Sequence, residues 1–177
     1  VELRGDRIVL RYLDEADAPA LLAFVEGNRG FFEQWEPTRD DGFFTLEAQR
    51  TDIADAAADA AANRRHAFGL FLDGELVGRL ALSNLVRGVF QNAYLGYSIG
   101  EQWNGQGLAT EAVGLAVGFA FAELGLHRVQ AAVMPRNSGS IRVLEKNGFR
   151  EEGYAVGYLC INGVWEDHRI FARTAER

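Results

Sequence analysis

Tyr94-Leu-Gly-Tyr-Ser-Ile-Gly-Glu-Gln-Trp-Asn-Gly-Gln-Gly-Leu-Ala-Thr-Glu-Ala-Val113 decides how this chain folds. Tyr94 to Ile99 ends a strand-like run that starts at Ala93. Gly100 to Gly107 is a glycine-rich loop. From Leu108 the apolar residues Leu108, Ala112, Leu115 and Phe119 recur at helical spacing to about Glu123, and Gly125 marks the end. A strand thus feeds a loop that opens a helix. The first N–H groups of a helix lack intrahelical partners and lie at the positive end of its dipole. Glycines let the backbone curl and an anion approach. The arrangement reads as a phosphate or pyrophosphate site; the alternative is a turn whose glycines serve geometry only. A P-loop needs Gly-Lys-Ser/Thr, and Gln106-Gly107-Leu108 has no lysine. A dinucleotide fingerprint follows its strand directly and ends in Gly or Ala. Here Gly100 to Asn104 intervene and the pattern ends in Thr110.

Working outward, Ile8 to Leu13 reads as a strand, and Ala18 to Glu26 as a short helix with Pro19 in its first turn. Gly27 to Gly42 reads as a loop. Thr45 can cap a helix from Leu46 to about Ala62. Ala67 to Leu72 and Leu76 to Leu85 form a hairpin around Asp73-Gly74. Downstream come a strand over Arg128 to Met134, a helix over Ser138 to Asn147, and a last hairpin, Tyr154 to Ile161 and Val164 to Ala172, around Asn162-Gly163. The order is that of a single mixed-sheet α/β domain.

Composition sets bounds. The chain has 177 residues, 18 Lys or Arg against 25 Asp or Glu, and a net charge of −7. That balance argues against a dedicated nucleic-acid binder and suits a basic partner. A single cysteine, Cys160, excludes a disulfide scaffold, and three scattered histidines have no metal-ligand spacing. No apolar run approaches a membrane span, and Val1 to Asp6 lacks signal-peptide character, so a cytoplasmic protein without a membrane or metal is expected.

Gln102-Trp-Asn-Gly105-Gln-Gly107 matches Q/R-x-x-G-x-G/A and resembles the acetyl-CoA pyrophosphate loop of the GNAT N-acetyltransferases. Asn137-Ser-Gly-Ser140, followed by Gly148-Phe149 and Glu152-Gly153, is similar to a second block of that family at the expected distance downstream. Trp35-Glu-Pro-Thr-Arg-Asp40, Tyr94 to Gly100 and Tyr158 to His168 resemble the RimJ branch of the RimJ/RimL group. The resemblance covers nearly the whole chain, and residues 1–177 read as one domain. It implies a single-domain GNAT fold: a mixed, mostly antiparallel sheet with a splayed strand pair, flanked by helices. It further implies acetyl-CoA as cosubstrate and the N-terminal α-amine of a ribosomal protein as acceptor. A small-molecule amine is the alternative acceptor, and a non-catalytic acyl-CoA-binding module the alternative class. A monomer or homodimer is expected.

Carried over by position, Tyr97 and Ile99 would pair with the pantetheine amides. The loop Gln102, Trp103, Asn104, Gly105, Gln106, Gly107, Leu108 and Ala109 would hold the pyrophosphate, with donor N–H groups from Trp103 to Ala109. Asn137 would bond the pantetheine arm or serve as a turn or cap residue. Ser140 would protonate the departing sulfur or cap the following helix. Trp35, Glu36 and Tyr94 would meet the acceptor. Phe31, Phe32, Phe43 and Trp165 would wall its groove or close the core. Some relatives carry a glutamate base before the last hairpin turn; Leu159 stands there in this chain. Glu101, Glu36 and a water chain remain as candidates. Cys160, within a strand, is expected to be buried. Asp167 and His168 cannot form a dyad, because neighbours on a strand point to opposite faces.

Overall fold

The computed structural model describes residues 1–176. Its strands are β1 Glu2–Arg4, β2 Ile8–Arg11, β3 His66–Leu72, β4 Glu75–Val86, β5 Asn92–Ile99, β6 Arg128–Val133, β7 Arg150–Ile161 and β8 Val164–Thr174. They form one sheet in the order β1-β2-β3-β4-β5-β6-β8-β7. The helices are α1 Ala18–Gly27, α2 Arg29–Phe32, α3 Leu46–Ala61, α4 Leu108–Ala122 and α5 Ser138–Lys146. All neighbouring strands run antiparallel except β5 and β6. Both predicted hairpin turns form, with Asp73-Gly74 and Asn162-Gly163 at positive φ as a tight primed turn requires. Three features depart from the sequence reading: the short β1, which pairs with β2; the one-turn α2 inside the expected loop; and β7, which starts at Arg150. β1 and α2 carry no buried residue, so neither has the apolar period that would reveal it.

Alternation along the strands sorts the core into two clusters. Leu10, Phe68, Leu70, Val77, Leu80 and Leu82 bury against the Ala112, Val113, Ala116 and Val117 stripe of α4. Phe71 and Leu76 face the other way, onto Leu21, Phe24 and Val25 of α1 and Ile53 of α3. Each fully buried large side chain contributes about 1.5–3 kcal/mol. The sheet is therefore sandwiched, with α4 and α5 on one face and α1 and α3 on the other.

The sheet is not closed between β5 and β6. They pair only at Asn92↔Arg128, Ala93↔Val129 and Tyr94↔Gln130. Beyond that, β5 stays with β4 out to Ile99↔Gly78, while β6 stays with β8 out to Val133↔Arg169. The result is a slot through the sheet, edged from Leu95 to Ile99 by the side of β5 that faces away from β4 and pairs with no strand. Gly78 holds one side of it. A Cβ there would lie 2.7 Å from the Ser98 carbonyl oxygen and 2.9 Å from Ile99 Cδ1. Backbone in a paired strand cannot yield as a flexible side chain does. Gly78→Ala is expected to cost about 1–3 kcal/mol and lower the melting midpoint by several degrees in a thermal scan. An unchanged midpoint would contradict the closeness of the β4–β5 contact.

Candidate active site

A cavity of about 660 Å³ follows the slot. Strand parity assigns its walls. Tyr97 and Ile99 point with Val133 toward α4 and α5, and Ser98 points to the α1–α3 face. The cavity runs from Gly105, Gly107 and Leu108, past Tyr97, Asn137 and Ser140, to Trp35, Glu36, Arg79 and Arg65. It thus connects the two faces of the sheet.

At one end lies the loop read first. Gly107 caps α4 at φ 80° and ψ 5°, with no side chain covering the helix N-terminus. The N–H groups from Gly105 to Thr110 meet no acceptor among the described residues. Those of Trp103 and Asn104 are already bonded to the carbonyls of Gly100 and Glu101, at 2.9 and 3.3 Å. This corrects the expected donor set, which began at Trp103. The Asn104 side-chain amide donates to the Ile99 and Gly100 carbonyls, at 3.0 and 3.2 Å, and braces the loop on the end of β5. Arg7 braces it from the other side: Nη1 donates to the Gln106 carbonyl at 2.8 Å, and Nε reaches Glu111 at 3.3 Å. Partial burial would raise the Glu111 carboxyl, but the N–H groups of Arg7 and Ile8 and the Arg7 guanidinium outweigh it and hold the group below the usual range. Free donors converging at a helix N-terminus can hold an anion's oxygens.

Midway along the slot, Ser140 Oγ is 2.7 Å from the Tyr97 hydroxyl, which also reaches the Ser140 carbonyl at 3.2 Å. Burial pushes the Tyr97 phenol up to about 12, partly offset by the Ser140 bond. It therefore keeps its proton at neutral pH. The helix cap is Asn137, whose side chain accepts from the Ser140 N–H at 3.2 Å. Ser140 is thus free of the capping task, and its hydroxyl can give a proton to an atom in the slot.

The α1–α3 face carries Trp35 and Glu36. Desolvation holds the Glu36 carboxyl above its usual range, although the Arg79 and Arg39 guanidinium groups and the nearby Ser98 act against it. Arg136, in the turn after β6, pins this region: it donates to the Gln34 carbonyl at 3.0 Å, pairs with Glu166 at 3.0 Å and lies over the Trp35 ring at 5.4 Å.

Residues 7–150 match the family model described as an acetyltransferase (GNAT) domain. The chain belongs to the GNAT acetyltransferase family. It is 45% identical over 172 residues to the probable N-acetyltransferase YjcK of Bacillus subtilis, covering 96% of this chain and 95% of that protein. It is 38% identical over 176 residues to the ribosomal protein uS5-alanine N-acetyltransferase of Escherichia coli, covering 98% and 91%. Among solved structures, Mycobacterium smegmatis RimJ in complex with CoA-disulfide superposes with a TM-score of 0.92 at 33% identity, over 99% of this chain and 86% of that one. The chain is a GNAT enzyme of RimJ/RimL type, an acetyl-CoA-dependent N-acetyltransferase; enzymes of this family need no metal.

Not every expected residue of this GNAT enzyme reaches the cavity. Trp103, Asn104, Gly105, Gly107, Leu108, Ala109, Tyr97, Ile99, Asn137, Ser140, Trp35 and Glu36 line it. Tyr94 does not; it sits on the last paired rung of β5 and β6. Gln102 and Gln106 bond each other along the loop, Nε2 of Gln106 to the Gln102 carbonyl at 3.2 Å. Phe31 and Phe32 line the cavity, whereas Phe43 packs on the α1–α3 cluster. Trp165 is 68% exposed on the β7–β8 hairpin, away from the cavity. Cys160 is exposed, not buried, because β7 is the edge strand and no helix covers its outer end. Glu101 is exposed and does not line the cavity. His168, set aside in the sequence because it forms no dyad with Asp167, lines the cavity.

Proposed function

We propose that this GNAT enzyme acetylates the N-terminal α-amine of a protein, with a ribosomal protein as the acceptor. The observation that carries this reading is the course of the cavity. It continues beyond Glu36 to Arg39, Asp52 and Arg65, leaving room for chain beyond a single amine. The uS5-alanine specificity named for the Escherichia coli relative supports it. Acidity supports it too: a net charge of −7 favours encounter with a basic polypeptide.

The residues present fit acetyl-CoA. The unpaired N–H groups of Gly105 to Thr110 receive the pyrophosphate, and the free edge of β5 at Tyr97 to Ile99 pairs with the pantetheine amides. Asn137 keeps its Nδ2 donor for the same arm while its Oδ1 caps α5. Acetyl-CoA supplies a thioester carbonyl open to direct attack, so no acyl-enzyme is needed. The Ser140–Tyr97 hydroxyl pair gives a proton to the leaving sulfur. Glu36 draws the ammonium form of the acceptor into the cavity. An α-amine near pKa 8 is about one-tenth neutral at pH 7, against about one in several thousand for a lysine side chain. An N-terminus is therefore the easier nucleophile.

The test compares peptides beginning with Ala, Ser, Leu and Lys, beside a free diamine, at two ionic strengths. The small first residues should be acetylated fastest, because Trp35 and Tyr97 crowd the thioester end. Rates on a basic ribosomal-protein peptide should fall several-fold as salt rises through the Debye regime. Equal rates for all four peptides, or a preference for the diamine, would favour a small-molecule acceptor.

A further inference from the structure

His168 is 3% exposed, and what surface it keeps opens on the cavity. It stands on β8 next to Arg169, whose pairing with Val133 is the last rung to β6. Phe171 belongs to the α4-side core, so alternation turns Arg169 the same way and His168 toward the opposite face, that of Trp35, Glu36 and Ser98. Ring orientation follows from one hydrogen bond. Nδ1 lies 2.9 Å from the Glu166 carbonyl oxygen. A carbonyl oxygen only accepts, so Nδ1 carries the proton of the neutral ring and Nε2 keeps its lone pair. Nε2 has no hydrogen-bond partner among the described residues, and it is not one of the polar atoms sealed from solvent. An edge-on contact with Tyr158, centroids 5.4 Å apart, holds the ring from the far side. The neutral ring thus turns a bare Nε2 to one face of the slot, with a hydroxyl pair on the other.

We propose that His168 is the general base of the acetyl transfer, a role that rests on the thioester lying in the slot between Tyr97 and Val133. The amine nitrogen forms the new C–N bond as the C–S bond breaks. Its surplus proton passes to His168 Nε2, and the leaving sulfur takes one proton from the Ser140–Tyr97 pair. Exchange with water at the cavity mouth removes the proton from His168 and restores that of the hydroxyl pair. One amine and one thioester become one amide and one thiol. The ammonium form drawn in by Glu36 first gives one proton to water at the cavity mouth, and the neutral amine, oriented by Glu36, then attacks; burial raises the Glu36 carboxyl in spite of the Arg79 and Arg39 guanidinium groups that face it. Glu166 keeps its carbonyl for His168 while its carboxylate pairs with Arg136.

Two variants and one spectrum test this. His168→Asn preserves a donor to the Glu166 carbonyl but removes Nε2. It should lose about 100-fold or more in kcat, with the KM values for peptide and acetyl-CoA within about twofold of wild type. His168→Ala should regain activity saturably with added imidazole. In the intact enzyme the ¹⁵N ring resonances of His168, assigned by their loss in His168→Asn, should show Nδ1 protonated and Nε2 bare. CoA titration should shift the amides of Gly105, Gly107, Tyr97 and Ser140 in wild type and in His168→Asn alike. A protonated Nε2, or a His168→Asn enzyme that keeps its kcat while Glu36→Gln loses it, overturns the assignment of the base alone. A CoA titration that leaves the slot amides unmoved overturns the placement of the thioester and the base with it.

Discussion

Ser140→Ala is expected to lower turnover about 100-fold while leaving acetyl-CoA affinity and melting temperature near wild type. Two roles were open for this hydroxyl, sulfur protonation and helix capping, and they predict opposite readouts. Loss of a cap costs about 1 kcal/mol of stability and spares catalysis. The structure gives the cap to Asn137, whose Oδ1 receives the Ser140 N–H. The Ser140 hydroxyl is left with one polar contact, the Tyr97 phenol at 2.7 Å. With its phenol pushed up to about 12, Tyr97 remains a donor through neutral pH and can relay a proton to Ser140 without ionising first. Tyr97→Phe should therefore share part of the loss, and the double variant should cost less than the product of the two single losses, since both act in one relay. Steady-state kinetics beside thermal melts decides it. A cooler melt with intact turnover would return Ser140 to a structural role.

The strand, loop and helix over Tyr94 to Val113 were legible because each depends on local pattern: aromatic and β-branched residues, paired glycines, then an apolar stripe. Ser140 was legible through its spacing from Asn137. What escaped the sequence lies in contacts across long separations or depends on which layer covers a strand. Arg7 braces Glu111 and Gln106 from about a hundred residues away, and nothing near Arg7 announces it. Cys160 and Trp165 carry apolar character that normally means burial, but Cys160 lies on the edge strand β7 and Trp165 opposite it on β8, at a hairpin tip with no helix to bury against. Parity separated His168 from Asp167 correctly: Asp167 accepts from the Tyr154 hydroxyl and the Gly157 N–H, outside the cavity lining. What the sequence could not supply is that the face assigned to His168 opens onto a slot, because the slot arises from β5 and β6 keeping different outer partners. Tyr94 failed for the same reason, since it falls just before the strands part.

Gly107→Val is expected to weaken acetyl-CoA binding by at least about tenfold, with peptide KM unchanged. Gly107 holds φ 80°, and a non-glycine residue there costs about 1–2 kcal/mol in backbone strain, more when β-branched. Every 1.4 kcal/mol is about tenfold in an equilibrium constant. Contact adds to strain. A Cβ would stand 3.1 Å from Arg7 Nη2, and the two further methyl groups of Val need more room still. Moving Arg7 releases the Gln106 carbonyl that its Nη1 holds at 2.8 Å, so the loop loses its brace just where it turns into α4. The N–H groups from Gly107 to Thr110 then no longer point to one place, and their shared grip on the pyrophosphate is lost. Gly105 separates the two causes. It also has positive φ, 77°, but an added Cβ would meet no atom within 4 Å. Gly105→Val should thus show the strain alone and a smaller loss than Gly107→Val. Calorimetric titration of CoA into folded variants, beside acetyl-CoA and peptide KM values, reads the difference. Wild-type CoA affinity in a folded Gly107→Val enzyme would remove this loop as the pyrophosphate cradle.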